Sequence, residues 1–223
     1  MTNPSYIFLA GASRGVGREI VHCLTQQQLK VKALLRSEAT RADLEALGIE
    51  VVLGDALRVS DVENAMLEGI AAVISTIGGL PKDGDRADYL GNKNLIDAAV
   101  KAGVQKFILV SSIGSGDSVQ ALPPQALATL GSVLAEKEKA EQHLINSGLT
   151  YTIIRPGGLK SEPATGNGVL TEDPRIAGTI HRADVAQLVC RCLNSEKANN
   201  KILSAVDRQM MYGQPDFVEF NLS

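Results

Sequence analysis

Tyr6-Ile7-Phe8-Leu9-Ala10 runs directly into Gly11-Ala12-Ser13-Arg14-Gly15-Val16-Gly17. A short run that is apolar at successive positions reads as a strand buried on both faces. The glycines follow it in the spacing Gly-x-x-x-Gly-x-Gly, and a segment of helical period opens at Gly15. Each glycine has a physical task. Gly11 permits a tight turn, Gly15 lets backbone approach a pyrophosphate, and Gly17 lets helix and strand pack closely. The helix start then offers free N–H groups and a partial positive charge to phosphate. A glycine triplet alone is weak evidence, but strand, loop and helix in this order point to a dinucleotide. Gly11, Ser13, Arg14, Gly15, Val16 and Gly17 are the expected phosphate-side contacts.

Outward from this stretch, strand-like runs alternate with helical segments. The runs are Tyr6–Ala10, Val31–Leu35, Val51–Leu53, Ala72–Thr76, Lys106–Ser111 and Thr150–Arg155. Between them lie Gly15–Gln28, Glu38–Leu47, Val59–Leu67, Asp88–Ala102 and Val133–Ser147. Doubly apolar strands joined by helices imply a parallel sheet covered on both sides, an α/β doubly wound, Rossmann-type fold. Gly48, Gly103 and Gly148 follow helical segments and suit left-handed caps. Ser60 with Glu63 has the spacing of a capping box. A last helix, Arg182–Leu193, and a strand near Lys201–Val206 complete the pattern. The tail after Asp207 reads as a short edge strand or as disorder. Pro/Ser-rich linkers are absent, so one domain over 1–223 is expected. Two stretches are long for connections, 113–131 and 157–178, and read as substrate loops.

The second strand decides which dinucleotide. An acidic residue at its end binds a ribose 2′-hydroxyl, whereas an Arg accommodates a 2′-phosphate. Here the strand ends Leu34-Leu35-Arg36-Ser37. Arg36 and Arg14, each a planar fork of donors, suit a phosphate dianion and favour NADP(H) over NAD(H). Asp55, followed by Ala56, comes just after the third strand. Its carboxylate either accepts from the adenine amine or serves as a turn residue. Thr76, Ile77, Gly78 and Gly79 end the fourth strand, where small residues let backbone pass beneath the cofactor.

Composition sets the outer limits. The chain has 223 residues, 44% hydrophobic and 21% charged, with 4 Tyr, 4 Phe and no Trp, so its core must be aliphatic. A net charge of −3 offers no basic stripe for nucleic acid. No apolar run approaches the roughly 20 residues of a membrane span, and the N-terminus lacks the pattern of a secretory signal. The three cysteines, Cys23, Cys190 and Cys192, have no disulfide-framework spacing. These features predict a cytoplasmic monomer. His22, His143 and His181 share no metal spacing. His22 and His143 read as solvated and His181 as a local hydrogen-bonding residue. Asp184 reads as a helix-start carboxylate, and Glu136-Lys137-Glu138-Lys139 as a solvated charge run.

With these residues in view, the chain resembles the short-chain dehydrogenase/reductase superfamily from about Tyr6 to Val206. The resemblance rests on Gly11–Gly17, on Gly54-Asp55, on the helix Asn92–Ala99, on Val110-Ser111-Ser112 and on Ile154-Arg155-Pro156-Gly157-Gly158. It is greatest to the atypical single-domain group that includes biliverdin IXβ and flavin reductases and plant and cyanobacterial NAD(P)-binding proteins. Gly178–Ala186 and Cys190–Leu193 are similar to the closing strand and helix of the flavin reductases. The resemblance places Ser112 beside the nicotinamide as the catalytic serine. It also places Ser111, Lys137, Pro156, Gly157, Gly158 and Leu159 around the cofactor. Ser112 would orient substrate or relay a proton, unless its hydroxyl is satisfied by backbone at the strand end.

One departure from the superfamily redirects the chemistry. Its main enzymes carry a Tyr four residues before the Lys, as the acid/base. Here that position, four before Lys137, is Val133, which transfers no proton. An acceptor that needs no positioned phenol fits better: a flavin, taking hydride at N5, or a linear tetrapyrrole, taking it at the central methine. Conjugation delocalises the charge, and water supplies the proton. The expectation is therefore an NADPH-dependent reductase of flavin, as substrate rather than prosthetic group, and of biliverdin. The alternative is a non-catalytic NADP(H)-binding assembly or redox-sensor protein. Metal sites are not expected.

Overall fold

The structure, a computed structural model, describes residues 5–67, 69–78, 86–213 and 216–223. Strand β1 (Tyr6–Ala10) leads into helix α1 (Gly15–Gln26), and β2 (Val31–Leu35) into the short α2 (Arg41–Glu45). Then come β3 (Glu50–Leu53), α3 (Val59–Ala65), β4 (Ile70–Ser75), α4 (Leu90–Lys101) and β5 (Lys106–Val110). The second half holds α5 (Pro124–Ile145), β6 (Thr150–Pro156), β7 (Gly158–Lys160), β8 (Gly168–Thr171), β9 (Thr179–His181), α6 (Arg182–Leu193) and β10 (Lys201–Asp207).

The main sheet has the order β3-β2-β1-β4-β5-β6-β10-β8. All its pairings are parallel except β10 with β8. Alternate strand residues feed two apolar layers, aliphatic but for Phe8 and Phe107 in the second. Ile7, Leu9, Ala33 and Ile74 face α1, α2 and α6 through Ile20, Leu24, Leu44, Val185 and Val189. Phe8, Ala10, Val73 and Phe107 face α3, α4 and α5 through Val62, Leu95, Ile96 and Leu144. Burying each such side chain contributes about 1.5–3 kcal/mol. Chain order reverses between β1 and β4, and the carboxyl ends of two such strands open the crevice where doubly wound sheets take ligands.

The α/β doubly wound reading is correct, and Gly48, Gly103 and Gly148 adopt φ of +79°, +68° and +82°. Several local expectations are not met. Residues 113–131 are not a loop: Gly116–Ala121 is a 3-10 helix, and α5 begins at Pro124. The reason is the Pro123-Pro124 pair. Pro123 is extended and Pro124 enters the first turn, where its missing N–H costs nothing. The stretch 157–178 contains β7 and β8, too short to be read from periodicity. The Ser60–Glu63 capping box does not form, because α3 starts two residues earlier than a Ser60 cap would set it, with Arg58 as N-cap and no side-chain cap. The tail is neither a regular strand nor loose over 216–223. Phe220 N–H donates to Leu170 (2.7 Å), Thr171 Oγ1 donates to the Val218 carbonyl (2.8 Å), and Phe220 and Leu222 pack on the core.

Candidate functional site: a dinucleotide crevice

The glycine loop is built by exclusion. Gly11 has φ +98°, and a methyl there would sit 2.3 Å from Thr76 Oγ1. A methyl on Gly17 would sit 2.0 Å from the Gly11 carbonyl oxygen, so α1 lies directly on the end of β1. Thr76 closes the floor, donating its backbone N–H to the Ala10 carbonyl (2.9 Å) and its hydroxyl toward Ala10 and Gly11 (3.2 and 3.3 Å). The N-cap of α1, Arg14, uses no side-chain cap. The first-turn N–H groups are left for an external anion. This cradle fits a pyrophosphate.

Arg14 and Arg36 are exposed, and among the described residues neither is paired with a carboxylate. Ser13 and Ser37 are exposed beside them in sequence. Asp55 takes its turn role with one oxygen, accepting from Leu57 N–H at 2.9 Å, while its own N–H donates to Asp61 (3.0 Å). Its second oxygen is left for a ligand donor. Ala56 is held by Asn94, which donates to its carbonyl (2.9 Å). Ile77 packs against Gly91 of α4. Gly78 has no room for a side chain, since a methyl would stand 2.6 Å from Asp88 Oδ1. Gly79 lies outside the described residues.

At the ends of β5 and β6 the site turns inward. Ser111 is buried and donates its hydroxyl to Glu141 of α5. Glu141 is fully buried and receives Arg155 through Nε (3.2 Å) and Nη2 (2.7 Å). Arg155 Nη1 reaches Asp117 on the 3-10 helix. Burial alone would lower the Arg155 pKa, but bonding to Glu141 and Asp117 outweighs it and holds the guanidinium charged above its ordinary value. Ser112 is half-buried and donates to the Ile113 carbonyl (3.0 Å), the local bond that sequence left open. Lys137 is not part of a solvated run: its Nζ turns in to the buried Asp88 at 3.2 Å, opposite Arg86 at 3.3 Å. Val133 is half-buried on the same helix.

Beyond β6 the crevice is bordered by segments distant in sequence. Pro156 is buried and its carbonyl takes the Ile113 N–H (2.9 Å), which ties the 113–123 segment to β6. Gly157 and Gly158 run against Gly178, where a methyl on Gly157 would lie 2.3 Å from the Gly178 oxygen. Gly178 in turn abuts Met210 and Met211, and the Tyr212 hydroxyl stands 3.8 Å from a methyl built on Gly158. Leu159 is 40% exposed and Tyr212 60% exposed. Beneath them Ile113, Ile176, Ala177 and Val206 form a separate small core that Leu122 and Met211 join. This part of the crevice thus rests on an apolar base. Two surface clefts of about 370 Å³ flank the tail, and neither includes a glycine-loop residue.

A family model described as NAD(P)H-binding matches residues 11–196. The chain belongs to this NAD(P)H-binding family. ChuY, an anaerobillin reductase of Escherichia coli O157:H7, has a structure of TM-score 0.85 and 33% identity, covering 94% of this chain and 100% of that one. YhfK of Bacillus subtilis, described as an uncharacterised sugar epimerase, is 34% identical over 203 residues, 87% of this chain and 91% of its own. The sanguinarine reductase of Eschscholzia californica is 31% identical over 242 residues, 87% of this chain and 86% of its own. The resemblance to atypical short-chain dehydrogenase/reductase proteins therefore holds.

Within this NAD(P)H-binding fold, sequence reasoning missed Glu141, Asp117 and Asp88. Glu141 and Asp117 stand in segments read as ordinary helix and loop, and only helical phase relative to the sheet turns Glu141 inward. It missed Tyr212, which no local pattern links to Gly158. Asp184 is more than a helix-start carboxylate: it accepts from Thr165 N–H (2.9 Å) and Gly166 N–H (2.8 Å), anchoring the segment after β7. His181 Nδ1 bonds the Pro163 carbonyl (2.5 Å), a local role as expected. His143 is not simply solvated; it meets Asp97 at 2.6 Å. Cys23 hydrogen-bonds the Cys190 thiol, which lowers its pKa to about 7, whereas burial pushes Cys192 up to about 12. Among the described residues no group of three His, Cys, Asp or Glu could hold a metal ion, and no helix is long and apolar enough to cross a membrane.

Proposed function

We propose that this chain is an NADPH-dependent reductase of flat, conjugated acceptors, a flavin or a linear tetrapyrrole such as biliverdin. The observation that carries this reading is the commitment of the ionisable groups around Ser112. Lys137 is paired with Asp88, and Glu141 with Arg155 and Ser111. No phenol stands four residues before Lys137, where Val133 is found. The acceptor must therefore stabilise its own added charge and draw its proton from water.

The bound nicotinamide would supply the hydride. The chain's residues do the rest by placement. Gly11–Gly17 and the start of α1 hold the pyrophosphate, Arg14 and Arg36 the 2′-phosphate, and Asp55 the adenine end. Pro156–Leu159 line the nicotinamide side, and Ser112 borders the reacting atoms with lone pairs left to accept a hydrogen bond. Leu159, Leu122 and Tyr212 wall the acceptor and exclude water from one face. The reductase activities named for two similar proteins support an enzyme. Mixing protein with NADPH and either FMN or biliverdin, and following loss of NADPH absorbance, tests it. Turnover well above the uncatalysed rate is expected. Tight NADPH binding without turnover on either acceptor would leave the binding-protein reading in its place.

A further inference from the structure

We propose that Arg182, the first residue of α6, clamps the pyrophosphate of the dinucleotide against the Gly15 turn. The inference rests on the cofactor reading above and adds a residue that the glycine motif does not contain. Gly15 has φ +60° and an open side. A methyl built there would meet only Arg182, at 3.7 Å from Nε and 3.9 Å from Cδ. The guanidinium therefore borders the space over the middle glycine, the one whose backbone approaches phosphate.

Its remaining bonds orient it without neutralising it. Nη1 donates to Ser161 Oγ (2.7 Å) and toward the Leu159 carbonyl (3.4 Å). Among the described residues no carboxylate pairs with Arg182, and its Nε and Nη2 donors remain for an external acceptor. A cation beside a helix start that also attracts anions is repelled by the helix dipole unless an anion lies between them. A diphosphate between the α1 N-terminus and a guanidinium fork removes that conflict. Because the same Nη1 holds Leu159 and Ser161, the clamp also links the cofactor to β7, the strand on the acceptor side.

The test is a set of dissociation constants for NADPH and NADH in the full chain. Arg182→Gln should weaken both dinucleotides by the same factor, about tenfold or more, since the pyrophosphate is common to them. Arg182→Lys should recover part of the loss by keeping charge without the fork. Ser161→Ala should leave both affinities nearly unchanged, and the ligand-free melting temperature should hold in all variants. Unchanged affinity in Arg182→Gln overturns the assignment. So does a loss confined to NADPH, which would place Arg182 on the 2′-phosphate. A loss in Ser161→Ala equal to that in Arg182→Gln also overturns it, because Arg182 would then act only as a tether for β7. A wild-type chain that binds neither dinucleotide fails the cofactor reading itself.

Discussion

The two ends of the ligand edge are made differently. At β1 and β4 the surface is backbone: Gly11, Gly15 and Gly17 with Thr76 form a cradle from which side chains are excluded. At β5 and β6 it is side chain, held from below by the buried Ser111, Glu141 and Arg155, with the exposed Asp117 at the outer end of the set. Backbone recognition suits a cofactor that is always the same. A wall of Leu122, Leu159 and Tyr212 on a charged foundation can change its lining without disturbing the sheet. The foundation is conditional, because a buried ion pair is tolerated only while both partners are present.

The largest expected effect strikes that foundation. Glu141→Ala leaves Arg155 charged, 3% exposed and without its main partner. It should cost about 3–5 kcal/mol in urea unfolding. A loss under about 1 kcal/mol would mean that water or Asp117 compensates, and that the second end does not depend on a buried ion pair.

Next comes the cradle. Gly17→Ala places a methyl 2.0 Å from the Gly11 oxygen, and backbone cannot yield that far. Overpacking of this kind costs about 1–3 kcal/mol of stability. NADPH affinity should fall by about a hundredfold or more, read by fluorescence titration, because α1 must lift off β1. An affinity kept within a few-fold would show that the loop is not where the phosphates rest.

A smaller effect is expected at the cofactor's outer end. Arg36→Asp should cut the preference for NADPH over NADH by about tenfold to a hundredfold, the worth of one charge-assisted contact. An unchanged ratio would remove Arg36 from the 2′-phosphate. The smallest concerns the layer beneath α1. With its pKa lowered to about 7, Cys23 gains thiolate as pH rises through 7. Iodoacetamide should therefore label it increasingly across that range. Cys190 and Cys192, whose pKa values are raised, should stay unlabelled until the chain unfolds, as peptide mass mapping would show.

The same contrast governs how much could be read in advance. The doubly covered sheet, the glycine caps and the glycine turn follow from spacing, because each depends on neighbours a few residues away. Helical period starts α5 at Val133, nine residues after its actual start at Pro124, although Pro123-Pro124 carries the signal. Helical period alone weighs a Gly- and Thr-containing turn too lightly. The family resemblance puts Ser111 around the cofactor, while the pleat points its hydroxyl at Glu141. Lys137 sits in a charge run, and only the placement of Asp88 at the foot of α4 draws it inward.

The sequence by itself determined that a sheet would be covered on both faces and that a strand would end in a tight glycine turn at Gly11–Gly17. Periodicity and the sterics of a missing Cβ are local, so they are written in adjacent residues. Only the tertiary structure decided what stands opposite. It set Arg182 over Gly15, Tyr212 beside Gly158 and Glu141 under Ser111, joining residues 167, 54 and 30 positions apart. Such pairs are chosen by strand order and helix phase acting together, and no stretch of chain short enough to read as a motif contains both partners.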